Sequence, residues 1–321
     1  MEFSGPILEV KGLSVEYITP TGSIKALSSI DLELQQNEIL GIAGESGSGK
    51  STLANAILGI LRPPAVITSG EIKYKGRLIS AFRSEEIRHL RWKEISYIPQ
   101  GSMNSLNPVL RIRDQFVDVI SEHAPSMNKR EVIEMASDLL KRVNLNAEEV
   151  LRAYPHELSG GMKQRVIIAM ALALKPSLVI ADEPTTALDV VTQKEIIQML
   201  KELRKDFGFS MIFISHDISI LAEICDSILV IYAGKNMEWA PMGELLSSPK
   251  HPYSMALINN IPKFSSTSLT PLPGEPADLA DPPKGCVFHP RCKYAMPICS
   301  NVEPRKAQLG EKHYAWCHLY G

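Results

Sequence analysis

The sequence predicts an α/β body followed by a small, loop-rich tail. Three observations predict it. A short apolar strand runs into a glycine-rich loop and a helix near residue 50, a second apolar strand near residue 180 ends in two acids, and proline and cysteine crowd the C-terminal part. Of 22 prolines, nine lie between Pro262 and Pro304, and four of the five cysteines (Cys286, Cys292, Cys299 and Cys317) follow residue 285. This shift sets a boundary near residues 245–265, giving a body over 1–245 and an extension over 246–321.

Composition narrows the class. At 321 residues the chain exceeds one typical domain, and 45% hydrophobic with 22% charged residues excludes wholesale disorder. Thirty-four Lys+Arg against 36 Asp+Glu leave a formal charge of -2, so no basic excess marks a nucleic-acid partner. The longest apolar run, Val166 to Leu174, is nine residues, against the roughly 18 of a membrane span. The start, Met1 to Pro6, carries no cationic stretch followed by an apolar core, and an intracellular chain is expected. No repeat of 20–50 residues is present, so the body holds one such unit, not two in tandem.

Taken in order, Glu38 to Ala43 reads as a strand, Gly44-Glu45-Ser46-Gly47-Ser48-Gly49-Lys50-Ser51 as a loop, and Thr52 to Gly59 as a helix. This is G-x-x-x-x-G-K-[ST] in the strand–loop–helix setting that the phosphate loop needs. Gly44, Gly47 and Gly49 let N–H groups curl around phosphate oxygens, and the helix N-terminus adds a positive dipole end. Lys50 is placed to reach the β- and γ-phosphates, and Ser51 to ligate Mg²⁺. Ser46 and Thr52 complete the expected phosphate-loop contacts. The stripe Leu139, Leu140, Val143 and Leu145 reads as core of a helical insert. Ser177 to Glu183 is a strand ending in acids. Asp182 would hold Mg²⁺, and Glu183 would orient or activate the attacking water; an acidic turn before Pro184 is the bland alternative. Cys225, among Ile224, Ile228 and Leu229, reads as a buried apolar thiol.

Leu158-Ser159-Gly160-Gly161-Met162-Lys163-Gln164-Arg165 resembles the signature of the ABC transporter ATPases. Other elements match in order. Tyr17 stands at the position of the adenine-stacking aromatic, and Gln100 at that of the Q-loop glutamine, a Mg²⁺ contact. Thr186-Ala187-Leu188-Asp189 resembles the D-loop, and His216, after the strand Met211 to Ile214, the switch histidine. Alone, Tyr17 would be an edge-strand aromatic, His216 a capping or solvated histidine, and Gln100 a loop amide. Met162 stands where the commonest family pattern has glutamine. The resemblance covers about residues 7–245. It implies a P-loop NTPase with a RecA-like core, an antiparallel β subdomain and a helical subdomain at about 103–163. It also implies that Ser159 and Gly161 of one subunit close over ATP held by another, with Asp189 nearby.

Gly101-Ser102-Met103-Asn104-Ser105-Leu106-Asn107-Pro108, His251-Pro252-Tyr253 with Leu257 and Pro262, and the tail from Leu272 to Cys292 resemble the oligopeptide/dipeptide/nickel importer ATPases. The resemblance implies an importer with a second ATPase subunit, two membrane permeases and an external solute-binding protein. The chain would lie at the cytoplasmic face of the membrane, with a groove near residues 100–160 for a permease helix. The solute would be an oligopeptide, a dipeptide or an oligosaccharide. Cys286-x5-Cys292-x6-Cys299-x17-Cys317 offers four thiolates. The group's extension implies a [4Fe–4S] cluster; zinc, disulfides and free thiols are the alternatives. Its role would be a structural staple or a redox sensor. Two rival functions stand beside the importer ATPase: a soluble ABC ATPase without a membrane role, and a redox-regulated subunit that binds ATP without turnover.

Overall fold

Continuous apolar runs and alternating ones sort the strands into two kinds of sheet. The computed structural model describes residues 4–20, 22–80, 84–101, 105–261 and 272–321; Ser102, Met103, Asn104 and Pro262 lie outside them. The chain forms two compact units, residues 1–81 with 213–321, and residues 82–212.

The first unit opens with β1 (Leu8–Thr19) and β2 (Gly22–Leu34), followed by β3 (Ile39–Ala43), α1 (Lys50–Ile57), β4 (Ala65–Tyr74) and β5 (Arg77–Leu78). In β1 buried and half-exposed residues alternate, as in a strand covered on one face. It pairs antiparallel with β2 and β4 in the order β2-β1-β4-β5. Tyr17 faces Ile24 on one side and Ala65 on the other, so it stands on an interior strand rather than an edge. By contrast all five residues of β3 are buried.

The second unit begins with α2 (Ser84–Leu90) and β6 (Ile95–Ile98), followed by α3 (Ile112–His123), α4 (Lys129–Arg142), α5 (Ala147–Arg152) and α6 (Gly160–Ala171). Then come β7 (Leu178–Asp182), α7 (Val190–Phe207) and β8 (Ser210–Ile214), with which the chain returns to the first unit. α4 starts at a capping box: Asn128 Oδ1 accepts from the Arg130 and Glu131 N–H groups, and Glu131 Oε2 accepts from Asn128 N–H. Its buried side, Val132, Ala136, Leu139 and Leu140, keeps helical spacing, with Val143 buried after it. Of the stripe expected as core of the insert, Leu139, Leu140 and Val143 are buried and Leu145 is half-buried. β7 is wholly buried and runs parallel to β6, Ile98 facing Ala181.

Back in the first unit come α8 (Ile218–Ile224), β9 (Ser227–Tyr232), β10 (Lys235–Pro241), α9 (Met242–Ser247), α10 (Pro252–Asn259), β11 (Lys306–Gln308) and β12 (Tyr314–Trp316). Here the strands run β11-β12-β10-β9-β3, with β3 parallel to β9. The extension therefore continues the first unit: β12 pairs with β10 through Trp239 and Tyr314. Glu238, fully buried, accepts from the N–H groups of Lys250 and His251 and bonds His313 Nε2 at 2.7 Å. Cys225 is buried as expected.

Candidate functional site

In the first unit, β3 delivers the chain to the phosphate loop. Two glycines there have no substitute. A Cβ on Gly44 would lie 2.2 Å from the Ile231 carbonyl oxygen, and one on Gly49 (φ +100°) 2.6 Å from that of Ala26. The Lys50 ammonium, in a residue only 6% exposed, donates to the carbonyl oxygens of Gly44 and Glu45 at 2.8 Å and approaches Ser48 Oγ at 3.4 Å. A buried cation at the start of a helix, solvated by the loop's own oxygens, is poised for phosphate oxygens. Ser46 and Gly47 are exposed on the loop, and Ser51 and Thr52 are half-buried on α1. Tyr17 meets this helix directly, its hydroxyl 3.3 Å from Thr52 Oγ1. His216 is exposed between Ser215, whose N–H donates to the Ile42 carbonyl at 3.2 Å, and Asp217, which caps α8. That bond to β3 puts His216 at the end of the strand from which the phosphate loop leaves.

In the second unit, the end of β7 is a held pair of acids. Asp182 is 1% exposed, and Tyr97 Oη donates to its Oδ2 at 3.4 Å. Burial, then the Asp182 charge, pushes the Tyr97 hydroxyl above its usual pKa, so it stays a donor. Glu183 has φ +47°, a left-handed conformation uncommon for a side chain of this size. Its Oε2 accepts from Gln100 Nε2 at 3.1 Å and from Thr186 Oγ1 at 2.9 Å, which aims the carboxylate. The Gln100–Glu183 contact brings together two residues that the sequence reading had assigned separate roles. Tyr97 and Thr186 as supports went unread in the sequence; the aromatic at the end of β6, three residues before Gln100, was the available signal.

The signature lies at the N-terminus of α6. Ser159, exposed, is the cap, its Oγ accepting from Met162 N–H at 3.3 Å. Gly161 packs where a Cβ would meet Thr192 Cγ2 at 2.8 Å. Thr192 in turn donates its N–H to Asp189 Oδ1 and its hydroxyl to Asp189 Oδ2. These Thr192 bonds lower the Asp189 pKa below the usual carboxylate value. Signature and D-loop therefore adjoin within this unit. Nearby, a mostly apolar cavity of about 400 Å³ is lined by Trp92, Tyr97, Leu106, Leu110, Val119 and Ile167.

The cysteine expectation fares differently. Cys286, Cys292, Cys299 and Cys317 are unpaired, with no disulfide among them. Among the described residues no three His, Cys, Asp or Glu side chains gather as they would around a metal ion, so neither zinc nor [4Fe–4S] gains support from the geometry. The thiols do sense one another: burial, with charge from the other three, pushes Cys286 up to about 11. Four sulfurs suit an iron–sulfur cluster chemically, and such a cluster spreads them over several irons rather than one.

An anion cradle with a buried lysine, a strand ending in oriented acids and a helix-capping serine–glycine lid define an ABC ATPase cassette, a P-loop NTPase. A model of the ABC transporter family matches residues 27–186, and one of the oligopeptide/dipeptide transporter C-terminal region matches residues 237–299. The chain belongs to the ABC transporter family. Within it, the dipeptide transport ATP-binding protein DppD of Caldanaerobacter subterraneus is 46% identical over 317 residues, 98% of this chain and 97% of that protein. The oligopeptide transport ATP-binding protein OppD of Salmonella typhimurium is 43% identical, covering 94% and 90%. Neither relative is named for a sugar, so the oligosaccharide expectation is left without support. Among solved structures, the dimeric post-hydrolysis ATP-binding cassette MJ0796 bound to ADP and Pi superposes with a TM-score of 0.65 at 30% identity, covering 73% of this chain and 98% of that one.

Proposed function

We propose that this chain is the ATP-hydrolysing subunit of a membrane importer for dipeptides or oligopeptides. The observation that carries this is the buried Lys50 ammonium resting on loop carbonyls, in a chain whose relatives are named as peptide-transport ATP-binding proteins. The cassette would span 1–245, with helical subdomain 103–163 and extension 246–321. ATP would sit on Gly44, Ser46, Gly47, Gly49, Lys50, Ser51 and Thr52, with Tyr17 against the base. Ser51, Asp182 and Gln100 would hold Mg²⁺, which neutralises phosphate charge. Glu183 orients and activates the attacking water, and His216 contacts the γ-phosphate. Ser159, Gly161 and Asp189 would serve the ATP of a second ATPase subunit; a relative solved as a nucleotide-bound dimer supports that reading.

Two permeases and an external solute-binding protein would complete the complex, with this chain at the cytoplasmic face of the membrane. Among the described residues no helix is long and apolar enough to cross a membrane. A permease helix suits the 400 Å³ apolar cavity. A [4Fe–4S] cluster on the four cysteines would staple the extension; iron and sulfide assays on anaerobically purified chain test it, and a folded extension holding neither would end it. The function itself is tested by purifying the complex and measuring ATP hydrolysis in vesicles. Peptide with its binding protein should raise the rate, and the lack of any associated permease would favour a soluble ATPase.

A further inference from the structure

The phosphate loop carries one acidic side chain, Glu45, inside a turn whose N–H groups serve to receive anions. Left alone, that carboxylate would repel the phosphates. It is met by Arg291, 246 residues further along the chain: Arg291 Nη1 donates to Glu45 Oε2 at 2.7 Å, with side chains 6% and 24% exposed. Arg291 is itself fixed. Its Nε donates to the Pro273 carbonyl at 2.9 Å and its Nη1 to Tyr232 Oη at 3.2 Å. Burial works against its charge, but the bonds to Glu45 and Tyr232 prevail, so the guanidinium is held charged.

The Glu45 backbone is gripped too. Its N–H donates to Tyr253 Oη at 3.0 Å, and its carbonyl accepts from Lys50 at 2.8 Å. Tyr253 is fully buried, with ring centroids 4.9 Å from Tyr232 and 5.2 Å from Phe288. Of the groups holding Glu45, Arg291 and Tyr253 come from beyond residue 245, whereas Lys50 and the Ser48 N–H, which donates to the Glu45 carbonyl at 3.1 Å, belong to the loop.

We propose that Arg291 is a positioning residue for ATP binding, which neutralises Glu45 and so lets the C-terminal extension set the nucleotide affinity of the phosphate loop. This rests on the reading that ATP sits on that loop. A tether and a neutraliser differ in how Glu45→Gln behaves. Removing the carboxylate relieves a charge problem, whereas it breaks a tether just as losing Arg291 does.

The test titrates the full chain, with Mg²⁺, against the fluorescent probe mant-ATP. In R291M affinity should fall about tenfold, as when one partner of a held charge pair is truncated. E45Q placed in the R291M background should recover most of that loss. R291K, which keeps the charge without the planar fork, should fall between. Unchanged affinity in R291M, or E45Q and the double variant as weak as R291M, overturns the proposal. Should R291M fail to fold in a thermal-unfolding control, E45Q alone must bind at least as tightly as the wild type; weaker binding overturns it. K50A should abolish binding. If K50A binds normally, ATP does not sit on the loop and the proposal falls with that reading; if K50A fails while R291M binds normally, only the Arg291 inference falls.

Discussion

Gly161→Ala separates what the signature needs for packing from what it needs for chemistry. A Cβ at Gly161 would lie 2.8 Å from Thr192 Cγ2 but 4.0 Å from its Oγ1. The methyl alone obstructs, while the hydroxyl 2.7 Å from Asp189 Oδ2 stands clear. Overpacking of this kind costs about 1–3 kcal/mol, against a gain of up to about 1 kcal/mol for replacing a helical glycine by alanine. G161A should therefore destabilise by about 1–2 kcal/mol. Thr192→Ser deletes the obstructing methyl and keeps the bond to Asp189, so in the T192S background G161A should be neutral or slightly stabilising. Thermal unfolding of the four chains gives the coupling between the sites. ATP hydrolysis by the assembled complex supplies the second reading: because the added methyl is directed at Thr192 Cγ2, hydrolysis should recover along with stability in the double variant. A G161A penalty unaffected by T192S would refute the packing argument, and hydrolysis still lost in the stable double variant would show that Gly161 is needed for more than packing.

Further expectations are as follows. Glu183→Gln should lower kcat by about 10²–10⁴-fold while mant-ATP still binds; rapid turnover in a steady-state assay would remove Glu183 from the mechanism. Thr186→Val deletes a donor that aims the Glu183 carboxylate, so kcat should drop about five- to tenfold with the KM for ATP little changed. His251 is pushed down to about 3 by burial. The unfolded chain takes up that proton near pH 6.5, so this contribution to stability is complete above about pH 6.5 and falls by up to about 1.4 kcal/mol per unit below it. His251→Asn keeps an acceptor for Tyr253 N–H and should flatten the loss, seen by denaturant unfolding at about pH 5 and pH 7.5.

The elements that announce themselves in the sequence are local. The strand–loop–helix around Lys50, the strand running into Asp182 and Glu183, and the serine cap of α6 each occupy one short stretch of chain, and the structure builds them at those places. Tyr17 was harder, since a β1 pattern alone does not tell an edge from an interior strand; only pairing on both sides does. Tyr97 and Asp182 are 85 residues apart, and Arg291 and Glu45 are 246 apart. No periodicity links such pairs, because parallel strands and a returning C-terminal segment bring them together only once the sheets form. The four cysteines show the converse limit: the resemblance implies a shared site for them, yet among the described residues no such group of side chains gathers about an ion.

The central claim is that two cassettes enclose ATP, each covering the nucleotide of the other. A structure of the Glu183→Gln complex with ATP and Mg²⁺ tests it most directly. The Ser159 hydroxyl and Gly161 N–H of one subunit should lie within hydrogen-bond reach of the γ-phosphate seated on the Lys50 loop of its neighbour. Finding both groups turned to solvent in the closed, nucleotide-loaded complex would contradict it.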